Sequence, residues 1–160
     1  MLVTPEWPKL TIKWIRTIKW GKLFFCGLIY LFFATIIRQI EVILTMKYYL
    51  MPQYFGVWSQ SMMPNAGPPP TSFIIKSTTF TFANGLSIGL VYYYIRNLLP
   101  KQFWHRVTFF ADLMIGTSFI FFTLPVYILF NLPFQLLLSW FVSGFIILFL
   151  TSFTLVKIIN

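Results

Sequence analysis

From Leu113 to Val156 no side chain carries a charge. Such a run is too long for a soluble core helix and about twice what one membrane span needs, so it must hold two spans and a break. The break falls at Asn131-Leu132-Pro133, because proline donates no backbone N–H and disfavours helix in the residue before it. Two spans are expected, Phe103 to Phe130 and Pro133 to Val156, joined by a turn so tight that they must lie antiparallel and in contact. Pro125 has no polar turn residue beside it and reads as a kink.

The remaining chain fits the same class. It is 58% hydrophobic and only 9% charged, and a soluble domain of this size cannot cover its surface with so few charges. The apolar runs are continuous rather than alternating, which argues against a β-barrel. Leu23–Met46 and Phe73–Leu98 supply two further runs. The predicted fold is an all-α membrane protein, an antiparallel four-transmembrane-helix bundle over residues 23–159. Its spans are 23–46, 73–98, 103–130 and 133–156, with an outer loop at 50–72. That loop carries no charge and holds Pro68-Pro69-Pro70, which reads as a short polyproline II piece.

Residues 1–22 form a basic amphipathic interfacial segment. On a helix, Leu10, Trp14 and Ile18 share one face, and Lys9, Lys13 and Arg16 the opposite one, a pattern suited to anionic lipid. A signal peptide does not fit, because no small-residue cleavage site follows the apolar run. The net charge of +9 would point to nucleic acid in a soluble protein. Here the basic residues sit at helix ends, so lipid headgroups of the inner face are the expected partner, and nucleic acid is not. With both termini cytoplasmic, most of the basic residues fall on the inner side of the cell membrane, as the positive-inside rule requires.

Ionisable groups inside spans are costly and mark candidate sites. Asp112 is the foremost, about 12 Å into the third span from Trp104 at the rise of an α-helix. A lipid-facing carboxyl is unfavourable there, so Asp112 is expected to face inward and bond to Tyr30, Asn84, Ser87 or Thr151, which fall near its depth. It would act as a clasp between helices or as a proton or cation relay with His105 seven residues earlier. Arg38 and Glu41, three apart, form a second pair expected near the outer edge, where they can neutralise each other and snorkel outward. Gly85 and Gly89 make a GxxxG spacing that lets another helix approach closely, and Gly116 is a third candidate packing glycine.

One cysteine, Cys26, and one histidine are too few for a zinc, iron–sulfur or bis-histidine haem site, and no cofactor is expected. The chain also lacks paired carboxylates at one depth or a Cys/His pair, so an enzyme is not expected.

The segment from Gly85 to Phe122 reads GLxxGLVYxxI, then a Leu-Pro turn, then a W-x-R start to a Phe-rich helix. It resembles small four-helix integral membrane proteins of bacteria and archaea that have no assigned role. The resemblance implies a four-helix fold and supplies no activity and no catalytic residues. Small multidrug transporters, with four spans and an essential carboxylate in the first, match poorly, because Glu41 lies near the end of its span beside Arg38. The leading expectation is a non-enzymatic scaffold or accessory subunit that packs with other membrane proteins or with itself. The alternative is a small oligomeric transporter or channel using Asp112.

Overall fold

The computed structural model describes residues 18–58, 62 and 68–159, and these residues are helical with no strand among them. The N-terminal interfacial segment lies outside the described residues up to position 17. Four long helices follow in order: α1 (Trp20–Tyr49), α2 (Thr71–Ile95), α3 (Phe103–Leu129) and α4 (Phe134–Ile159). Three of them, α1, α3 and α4, are long and apolar enough to cross a membrane, which points to a multi-pass membrane protein.

The second helix falls short of that apolarity, contrary to the expectation of four equivalent spans. Its first half carries Thr71, Ser72, Lys76, Ser77, Thr78, Thr79 and Thr81. Several hydroxyls are satisfied within the helix: Ser77 bonds to the Ile74 carbonyl, Thr79 to Ile75, Thr81 to Ser77 and Ser87 to Ala83. This internal bonding lowers the cost of a hydroxyl in apolar surroundings.

Within α3, the expected kink at Pro125 is occupied by a π-helical turn, Phe119–Thr123, just before the proline. In a regular α-helix the Pro125 ring would collide with the carbonyl four residues back and leave it without a donor. Widening the preceding turn accommodates the proline without ending the helix. The chain then reverses at 130–133, where Phe130 closes α3 on the Val126 carbonyl and the Pro133 carbonyl receives Leu136 and Leu137 at the start of α4.

Helix α1 is central. It lies antiparallel to α2 on one side and to α4 on the other, and α3 packs on the far side of α4. At the end holding the α1 start, α3 also reaches α2, where Tyr92 and Phe110 meet edge to face at 5.1 Å. Both rings are fully buried, in a core with Leu23, Cys26, Val107 and Leu155. Lys22 at the start of α1 donates to the Ile158 carbonyl at the end of α4, a favourable place for a cation.

The α1–α2 crossing is set by glycine. A Cβ on Gly85 would lie 2.7 Å from Cβ of Tyr30 and 2.9 Å from Cα of Gly27, and one on Gly89 would lie 2.7 Å from a Leu23 methyl. The two backbones therefore meet where α1 also carries a glycine, Gly27, which GxxxG spacing in α2 alone does not reveal. Gly116 is different. A Cβ there would meet nothing within 4 Å, so it is not an internal packing position.

The described part of the loop between α1 and α2 folds back on the bundle. A short 3-10 turn at Pro52–Val57 delivers Trp58, which stacks on Tyr49 at 5.1 Å and donates its indole N–H to the Tyr49 carbonyl. Pro70, before α2, has φ −69° and ψ 154°, the polyproline II values.

Candidate functional site

Two carboxyl groups lie among the described residues, Glu41 on α1 and Asp112 on α3, and they have opposite surroundings. Arg38, Glu41, Thr45 and Tyr49 recur at spacings of three and four and so line one stripe of α1. Ser139 and Ser143, four apart on α4, face them. Glu41 is only 6% exposed. Its Oε1 accepts from Thr45 at 2.8 Å and from Ser139 at 2.7 Å. The Tyr49 hydroxyl stands 3.5 Å from Oε2 and itself receives the Trp140 indole N–H at 2.6 Å. The Ser139 hydroxyl could instead reach the Leu136 carbonyl at 2.8 Å, but a charged acceptor makes the stronger bond. Successive donors from Trp140 to Tyr49 to Glu41 polarise one another in a setting of low dielectric.

Arg38 completes this cluster. One of its guanidinium N–H groups donates to Ser143 at 2.8 Å, and the same nitrogen lies 4.0 Å from Glu41 Oε2. Arg38 also lines a cavity of about 40 Å³ with Ser118, Thr123 and Trp140, room for about one or two waters. Glu41 is buried, whereas the Arg38 side chain stays 42% exposed. Helix α1 continues eleven residues past Arg38, about 16 Å at α-helical rise, and Glu41 is bonded across to Ser139 on α4. Trp58, Tyr49 and Trp140 cover that end, with Trp58 and Trp140 6.2 Å apart.

Asp112 reverses the expectation made for it. It is exposed, and no hydrogen bond or ion pair reaches it among the described residues. The four side chains expected to bond it are engaged or placed elsewhere. Thr151 is buried and donates to the Ile147 carbonyl, exposed Ser87 donates to Ala83, and Tyr30 and half-buried Asn84 belong to the α1–α2 side of the bundle. The cause is the register of α3. Val107, Phe110 and Ala111 are its buried positions. At 3.6 residues per turn, Asp112 points about 145° away from their mean direction. His105 lies on the same outward face, against Gln102, and forms no link to Asp112 beyond sharing that face.

The Glu41 cluster was partly legible. Thr45 and Tyr49 fall four and eight residues after Glu41 and Ser143 four after Ser139, a signal that periodicity carries once Glu41 is taken as buried. The partnership of α1 with α4 has no such signal. Compared with known protein families, curated proteins and solved structures, the chain matches none, so the roles of these residues rest on their geometry.

Proposed function

We propose that this chain is a four-span integral membrane protein, with both termini cytoplasmic, acting as a non-enzymatic scaffold or accessory subunit. The observation that carries the reading is Asp112, a carboxyl on the outward face of a helix apolar enough to span a membrane, with no partner among the described residues. Its neighbours Phe109 and Leu113 are 55% and 43% exposed. A carboxyl left against lipid costs several kcal/mol, and a subunit interface removes that cost. Glu41, by contrast, is consumed by internal bonds. Transport through Asp112 draws no support from a group that faces away from the bundle.

Orientation rests on charge. Lys19, Lys22, Arg96, Lys101, Arg106 and Lys157 gather at one end of the helices, and Lys47 and Lys76 at the other. The first end also carries exposed Trp20, Tyr94 and Trp104, an aromatic belt suited to the interface with anionic lipid. With that end cytoplasmic, a cysteine replacing Gln53 is labelled by an impermeant reagent from outside, and one replacing Gln102 is not. The subunit reading is tested by mild-detergent purification from native membranes. It predicts a stoichiometric partner or a homo-oligomer. A monodisperse monomer that fluxes ions in proteoliposomes would replace it with the transport reading.

A further inference from the structure

The outward face of α3 has an organisation of its own. His105, Thr108, Asp112 and Gly116 are spaced by three, four and four residues and lie within an arc of about 80°. The arc is opposite Val107, Phe110 and Ala111, which seal α3 against the bundle. Thr108 turns its hydroxyl back to the Trp104 and His105 carbonyls, so it presents its methyl group outward. One turn beyond Asp112, Gly116 leaves open space where a side chain would stand. A glycine next to a polar group on an exposed helix face is the arrangement by which a second helix comes close enough to bond that group.

Resting on the subunit reading above, we infer that this seam docks one transmembrane helix of a different protein, and that this helix carries a lysine or arginine level with Asp112. Charge decides between occupants. A second copy related by a two-fold axis along the membrane normal sets Asp112 against Asp112, since equivalent residues share one depth. The copy's described cations at that end, Lys19, Lys22, Arg96, Lys101, Arg106 and Lys157, lie near the helix ends, and Lys22 and Arg106 are held by the Ile158 and Pro100 carbonyls. His105 of such a copy stands seven residues, about 10 Å, from the level of Asp112. A cation from another chain, admitted by Gly116, neutralises the carboxyl directly.

The test is association by fluorescence transfer in phosphatidylcholine vesicles. The labelled full chain meets a synthetic Leu/Ala transmembrane peptide of about 22 residues, which carries at the Asp112 level either Lys or Leu. The Lys peptide is expected to bind about tenfold more tightly, Asp112→Leu to abolish the difference, and Gly116→Leu to weaken binding of the Lys peptide while leaving Asp112 in place. Equal binding of the two peptides to the wild-type chain overturns the inference, as does a Lys preference that survives Asp112→Leu. Self-association of the chain that outcompetes the Lys peptide also overturns it, while leaving a homo-oligomeric subunit standing. If Asp112→Leu fails to fold, Asp112 has an internal role and the seam is misassigned.

Discussion

Glu41 and Asp112 are both single carboxyls on apolar helices, and the fold treats them differently. Glu41 is surrounded on α1 and α4 by hydroxyls and a guanidinium, and an aromatic group covers that end. Asp112 sits on the outward side of α3 with phenylalanine and leucine beside it. Composition assigns the same cost to each. Only the helix register tells which one is bonded inside the chain and which is not. The contrast teaches that an intramembrane charge marks a site only when the fold leaves it unanswered.

The comparison breaks most readily at Glu41. Replacing Glu41 by Leu removes the acceptor of Thr45 and Ser139 and leaves Arg38, whose side chain is 42% exposed, without its carboxylate; loss of these bonds should cost about 2–3 kcal/mol. The measurement is equilibrium unfolding in mixed micelles, and Arg38→Leu with Glu41→Leu together should recover much of the loss. Exchanging the two residues is expected to do worse than that double replacement, because Thr45 and Ser139 are disposed around a carboxylate.

The glycine contact sharpens the comparison from the other side of α1. Gly85→Leu forces α2 off the Gly27 backbone and should cost about 1–3 kcal/mol by overpacking, whereas Gly116→Leu, with open space around it, should leave stability of the isolated chain unchanged. Loss of stability in Gly116→Leu would mean that the outward face of α3 is not free.

Smaller still is the Trp140–Tyr49–Glu41 relay. Tyr49→Phe removes the hydroxyl between Trp140 and Glu41 and should cost about 1 kcal/mol, the scale of one interhelical hydrogen bond. Trp140 then loses its acceptor, and its emission should shift. No change in either would make the Tyr49 contact incidental.

Much of the fold could be read from charge and proline alone. The uncharged run from Leu113, the break at Pro133 and the pairing potential of Gly85 and Gly89 are local signals, and they place α2, α3 and α4 to within a few residues. What could not be read is rotation. Helix α3 has Phe, Leu, Ile or Met on every side, so no apolar stripe declares which face is buried, and cost alone puts Asp112 inward. Helix α1 also runs past the expected boundary at Met46 to include Lys47, Tyr48 and Tyr49. The Ser139–Glu41 contact joins residues far apart in sequence, and tertiary pairing of that kind has no periodic trace.

The most direct test sets the two carboxyls side by side in one experiment: unfolding of the purified, partner-free chain as wild type, Glu41→Leu and Asp112→Leu in the same micelles. The account predicts a loss of about 2–3 kcal/mol for Glu41→Leu, from the bonds Glu41 makes to Thr45 and Ser139, and, for Asp112→Leu, a stability within about 0.5 kcal/mol of wild type or above it. Equal losses for the two variants would contradict it, because Asp112 would then be bonded within the chain and would not be waiting for a partner.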